Sequence, residues 1–192
     1  MNKFEHYIKM IPVGEYIAQY RDCDKFIGFC KECKNYGTLW ACPPFENDPT
    51  PKISAYKYAY IIGTKVYVDE QTRHSVDTVE QRTKLTYDIL LDIRKVIDAR
   101  LIELEKEAAK ALAFYAGSCR QCTDNICTRK QGAPCVKPEL MRSSLESVGF
   151  DIALTTSQLL GIELKWSTDH ILPEYFTLVS ALFTNQELEI QM

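Results

Sequence analysis

The sequence predicts an α/β fold of the α+β sandwich kind: a mixed sheet covered by a long helix and shorter C-terminal helices, with two cysteine-rich metal loops. Three observations lead there. Tyr58 to Val68 and Tyr175 to Phe183 are rich in β-branched and aromatic residues and read as buried strands. From Val79 to about Ala109, apolar residues recur at helical spacing. Eight cysteines fall in two groups, Cys23 to Cys42 and Cys119 to Cys135. With 192 residues and 46% hydrophobic content the chain can bury a substantial core, and residues 1–192 are expected to form a single cysteine-rich domain.

Taken in order, residues 1 to 21 open with a short helix followed by Val13 to Tyr20, whose loose alternation suits a strand. The segment from Cys23 through Pro44 reads as a shaped loop, with Gly37 supplying a left-handed turn and Pro43 and Pro44 fixing the backbone after Cys42. Asn47 to Lys52 is a loop by its prolines. Gly63, inside the strand from Tyr58, is a candidate bulge. Asp77 with Glu80 three residues later forms an N-cap pattern before the long helix. That helix turns Leu85, Ile89, Ile93, Val96 or Ile97, Leu101, Leu104 and Ala108 inward, and leaves Glu80, Lys84, Asp88, Asp92, Lys95, Glu103 and Lys106 as a solvated face. Leu112 to Ala116 reads as a strand delivering the chain to Gly117 and Cys119. Residues 139–148 fit a helix ending at Gly149, with Ser143 and Glu146 as an alternative capping box. Asp151 caps a further helix that stops at Gly161, and Tyr175 to Phe183 closes the core.

The densest chemistry lies in the C-terminal group. Cys119, Cys122, Cys127 and Cys135 fall within seventeen residues. The Cys119–Cys122 spacing lets one tight turn present two sulfurs to one centre. Thiolates this close repel one another unless a cation or cluster neutralises them, and the flanking Arg120, Gln121, Thr128, Arg129 and Lys130 do not describe an apolar core. In the N-terminal group, Cys30 and Cys33 form one close pair, Cys42 follows after eight residues, and Cys23 precedes by six. Cys30, Cys33 and Cys42 are the expected ligands there. Cys23 completes that set, is a reactive thiol, or is packing.

Composition excludes several classes. Formal charge is -3, with no basic surplus for nucleic acid. Between Cys119 and Arg142, however, five basic residues face two acidic ones, a local surround that would offset a thiolate-ligated centre. The N-terminus lacks the apolar core of a signal peptide and no run reaches membrane-spanning length, so reduced cysteines in a cytoplasmic protein are expected. No glycine-rich dinucleotide or phosphate loop is present. His6, His74 and His170 are scattered, without ligand spacing.

At the two cysteine groups the sequence resembles a family of predicted metal-binding proteins, a cysteine-rich domain of unknown function (DUF2284). The resemblance rests on the pair leading into Tyr36-Gly37 and Trp40-Ala41-Cys42-Pro43-Pro44. It continues through Gly117, Cys119, Cys122, Cys127, Pro134-Cys135 and Pro138, and then Arg142, Ser144, Glu146, Gly149, Phe150 and Asp151. It covers roughly residues 28 to 152 and a closing strand. Asp124 and Asn125 widen the gap before Cys127, Ser143 stands where the family tends to have proline, and Ser147 where alanine is common. The resemblance implies a metal site and assigns no activity.

Four soft thiolates with the last next to a proline-containing segment suit an iron–sulfur cluster, expected to be [4Fe–4S], with zinc as the alternative. The first predicts an electron-transfer or redox-accessory protein that meets a redox partner protein. The second predicts a zinc-stabilised structural or interaction module. A third reading is an enzyme using an open metal position beside Cys30, Cys33 and Cys42.

Overall fold

The computed structural model describes residues 2–122, 126–168 and 171–192. Four strands, β1 (Phe4–Pro12), β2 (Tyr58–Tyr67), β3 (Ala111–Phe114) and β4 (Tyr175–Thr184), form one sheet in the order β1-β2-β4-β3. Every pairing is antiparallel, which corrects the expected mixed sheet. The reason is connectivity. The long helix carries the chain from β2 to β3 at the sheet's edge; these two strands run in the same direction, but β4 lies between them, so no two like-directed strands are neighbours.

The sheet is buried on both faces. On β2, Ala59 and Ile61 point to one core and Tyr60, Ile62 and Val66 to the other; β4 splits Val179, Ala181 and Phe183 from Leu178 and Leu182 in the same way. This period of two in a strand apolar on both sides explains the run of Ile, Val and Tyr seen in the sequence. One face is covered by α5 (Val79–Glu107), through Ile93, Ile97 and Leu101. The other is covered by α1 (Val13–Tyr20) and the segment around Phe150, Leu160 and Ile162, where the Tyr16 and Phe150 rings stack at 4.4 Å.

The first twenty residues reverse the expected order: strand first, then helix. Tyr7 and Ile11 face one core while Phe4 and Ile8 face the other, so β1 shows no single apolar stripe. Val13, Tyr16 and Tyr20 are buried at helical spacing, a pattern an alternating reading confuses with a strand. The segment expected to be loop from Cys23 contains α2 (Cys23–Lys31), capped by the Asp22 carboxylate accepting from the Lys25 N–H at 3.0 Å. The Asn47–Lys52 stretch runs into the short helix α3 (Thr50–Ser54), and Glu70–Arg73 forms α4.

The long helix begins and ends close to expectation, though Thr78, not Asp77, caps it, in a reciprocal box with Gln81. Gly63 makes no bulge: its register with Tyr7 and Val179 is unbroken. A Cβ there would lie 2.7 Å from Ile162 and 2.8 Å from Leu160, so the glycine lets the covering segment press against the sheet. The helix expected over residues 139–148 shrinks to a single 3₁₀ turn at Glu146–Val148, ended by Gly149 at φ 97°. Asp151 does cap α6 (Ile152–Leu154), which passes into a π turn over Thr155–Leu159 before Gly161.

Candidate metal centre

The N-terminal cysteines are placed by a helix end and a closed turn. Cys30 lies in the last turn of α2. The Cys33 N–H donates to the Cys30 carbonyl at 3.0 Å and the Tyr36 N–H to the Cys33 carbonyl at 2.9 Å, carrying the chain around without regular structure. Gly37, at φ 66°, then donates its N–H to the Pro43 carbonyl at 2.8 Å. That bond closes the loop and returns Cys42 toward the first two sulfurs. Cys30, Cys33 and Cys42 line one cavity of about 160 Å³, shared with Ser118, Ser144 and Glu146.

Cys23 is placed elsewhere. It stands at the opposite end of α2, seven residues and so about 10 Å along the axis from Cys30. It is exposed and packs over Gly149, where an added Cβ would meet its sulfur at 2.9 Å. It lines a different cleft, with Ile27, Tyr36 and Pro43.

Among the described residues, the C-terminal group is built from turns. A 3₁₀ turn, Thr128–Gln131, ends at Gly132 (φ 68°), and the Thr128 hydroxyl donates to the Pro134 carbonyl at 2.7 Å. These bonds fold residues 127–135 back on themselves. Cys119, Cys122, Cys127 and Cys135 all line one narrow cavity of about 20 Å³. Thr123, Asp124 and Asn125 lie outside the described residues, as does His170.

Arg129 joins the two groups. Its guanidinium donates to the carbonyls of Leu39 at 2.7 Å, Cys42 at 2.6 Å and Pro44, and stacks 5.2 Å from the Trp40 ring. The Trp40 indole N–H answers with a bond to the Ala133 carbonyl at 3.1 Å. Leu39, Trp40 and Ala41 wall the C-terminal cavity, while Ser118 lines the N-terminal one, so the two cavities stand back to back. From below, Arg94 on α5 donates to the Ser118 carbonyl at 2.7 Å.

The electrostatics follow from this packing. Burial pushes the Cys42 thiol up to about 12, reinforced by the sulfurs of Cys33 and Cys30 and opposed by Arg129, with Cys119 also raising it. Burial raises Cys30 as well, aided by Cys33 and by the Glu146 carboxylate. The Cys119 thiol is raised by burial; backbone hydrogen bonds from Gln121 and Arg142 partly restore its thiolate, and Cys122 and Cys135 work against it. Such thiols stay protonated at neutral pH unless a cation takes the proton's place. Burial likewise raises the Glu146 carboxyl, whose neighbours are its own backbone N–H and Ser144.

Among the described residues no three His, Cys, Asp or Glu side chains stand close enough to hold a single metal ion. The donor set nevertheless fits a thiolate-ligated centre: soft sulfurs lining two cavities, with basic residues around them. His6 bonds Thr64 at 2.9 Å within the sheet, and His74 follows α4, neither lining a cysteine cavity. A third cavity, of about 680 Å³, lies beside the C-terminal group and shares Trp40 and Met141 with it.

Glu146, Arg129, Trp40 and Arg94 are the residues that sequence reasoning did not assign to the site. Trp40 and Glu146 stood among the residues carrying the family resemblance. Arg94 carried no signal, because it occupies a helix face whose pattern predicts apolar burial.

A sheet buried on both faces, carrying two linked cysteine loops, defines a cysteine-rich α+β domain of metal-binding type. The sequence profile of one family, predicted metal-binding protein (DUF2284), matches residues 17–183. The chain belongs to that family. No curated protein and no solved structure matches it.

Proposed function

We propose that this metal-binding protein is an electron-transfer or redox-accessory protein. Its C-terminal cysteines, Cys119, Cys122, Cys127 and Cys135, hold a [4Fe–4S] cluster, and Cys30, Cys33 and Cys42 contribute to a second centre. The observation that carries this reading is the back-to-back pair of cavities, one lined by four cysteines and the other by three. A zinc ion needs its sulfurs within about 2.3 Å of one point. Ligands of a cluster bind different irons and stand further apart. Among the described residues no three such side chains converge on one point, which supports the second arrangement.

When bound, such a cluster accepts and releases single electrons at a potential set by hydrogen bonds and exposure. This chain's residues would supply those controls. Gln121 and Arg142 direct backbone N–H groups at the Cys119 sulfur. Arg129 and Trp40 keep the two loops in register. Ile126 and Val136, 60% and 63% exposed, flank Cys127 and Cys135. Apolar side chains this exposed beside the ligands suit the face a redox partner protein would meet. No described helix is long and apolar enough to cross a membrane.

The second reading is a zinc-stabilised structural module. The C-terminal cavity favours it specifically, since about 20 Å³ accommodates one ion more readily than a cluster. Anaerobic purification followed by iron, zinc and acid-labile sulfide analysis separates the two. Brown protein containing iron and sulfide in equal amounts is the expected outcome. Colourless protein containing zinc and no sulfide would replace the redox reading with the structural one.

A further inference from the structure

We infer that Glu146 is the fourth protein donor of the N-terminal metal centre, its carboxylate completing the set of Cys30, Cys33 and Cys42. The inference rests on the proposal that those three cysteines hold a centre. Cys23, the only other cysteine in that half of the chain, stands two helical turns away on a different cleft. Three thiols alone leave one iron of a four-iron cluster without a protein ligand.

Glu146 opens the 3₁₀ turn that follows Ser144 and lines the same cavity as the three sulfurs. Its Oε2 is enclosed and has no hydrogen-bond partner among the described residues. Leaving a buried carboxylate oxygen unpaired is unfavourable, so native proteins rarely do so without an ion or water to meet it. The environment also matters. Ser144 and the residue's own N–H attend the carboxylate. Arg94, the cation that acts on it, bonds the Ser118 carbonyl and pairs with Asp98 at 3.7 Å, and makes no hydrogen bond to Glu146 among the described residues.

The placement argues the same way, since three sulfurs and one unpaired carboxylate oxygen border a common cavity. On metal loading the carboxyl proton and the thiol protons leave to solvent, and the four anions then match a cationic cluster. A carboxylate is a harder and weaker donor to iron than a thiolate. The N-terminal centre is therefore expected to hold one iron more loosely, and to sit at a higher potential, than the four-cysteine centre.

The test is anaerobic reconstitution of the full chain with ferrous iron and sulfide for the wild type, Glu146→Gln, Glu146→Cys and Cys30→Ser. The readouts are iron and sulfide per chain, electron paramagnetic resonance, and redox titration. Glu146→Gln is expected to lose one iron from the N-terminal centre and to show a three-iron cluster signal on oxidation. Glu146→Cys is expected to retain all its iron and to shift that centre to a more negative potential. Circular dichroism of the metal-free Gln variant confirms its fold, and the Cys variant keeps the inference testable should that variant fail. If Cys30→Ser loses iron while Glu146→Gln matches the wild type in iron, spectrum and potential, Glu146 is not a ligand. If Cys30→Ser also leaves the iron content unchanged, the N-terminal centre itself is refuted, and the role of Glu146 with it.

Discussion

The two cysteine groups are held by different means. In the N-terminal group a helix end and the Gly37–Pro43 bond set the sulfurs around an open space of about 160 Å³. Among the described residues of the C-terminal group no helix longer than a 3₁₀ turn takes part, and four sulfurs line about 20 Å³. The first borrows order from the scaffold. The second obtains it from cross-ties, namely Arg129, Trp40, Thr128 and the Lys137 ammonium, which donates to the Gln121 carbonyl at 2.7 Å. A loop without secondary structure needs a partner for every buried backbone group, and here the partners come mostly from side chains.

Removing the shared tie should blur this distinction most. Arg129→Ala strips three carbonyls of a charged donor and unstacks Trp40. Metal-free protein is expected to lose about 2–4 kcal/mol in denaturant unfolding, given roughly 1.5–3 kcal/mol for a hydrogen bond to a charged group and partial exposure. Both centres should then release metal faster to a chelator. An effect confined to the C-terminal centre would show that the two loops are independent.

A smaller effect lies where α5 supports the two loops from beneath, at Arg94 and Asp98. Burial raises the Asp98 carboxyl to about 7, while its neighbour Arg94 opposes the shift. Because the folded state holds this proton more tightly than the unfolded chain, folded protein binds more protons between about pH 4 and pH 7. The contribution is therefore full below the unfolded value and lost as pH rises through the folded one. Buried Glu146 acts in the same direction. The unfolding free energy of metal-free wild type should fall across this window, and Asp98→Asn should flatten the decline. Equal slopes in the two proteins would remove Asp98 from the account.

The smallest effect is expected at Cys23. Cys23→Ser should leave metal content, spectrum and metal-free unfolding midpoint within error of the wild type, because its sulfur lines neither cysteine cavity. Loss of metal would return it to the N-terminal set.

Much of the scaffold was legible in the chain. The long helix, the strands at Tyr58 and Tyr175, the edge strand before Gly117 and the Asp151 cap all follow from patterns local to each segment. What misled was ambiguity of period. Val13 to Tyr20 fits a strand or a helix until its buried residues are known, and β1 hides its alternation by being apolar toward both faces. Strand direction was not legible either, since it depends on which edge the chain returns to. At the site, spacing identified Cys119 to Cys135 as a set that shares one cavity. No spacing rule links Glu146 to Cys30 across more than a hundred residues, because that meeting is made by α2 lying beside the Glu146 turn, where the Asp22 N–H bonds the Gly149 carbonyl at 2.8 Å.

The reciprocal bonds of Arg129 and Trp40 bear on how the protein matures. Each loop donates a side chain to the backbone of the other, so neither attains its final outline in isolation. A synthetic peptide spanning residues 119–135 would lack the Trp40 wall and should make a poor mimic of the natural site. Insertion of metal then becomes an event of the assembled chain, set by when residues 39–44 and 129–133 find each other.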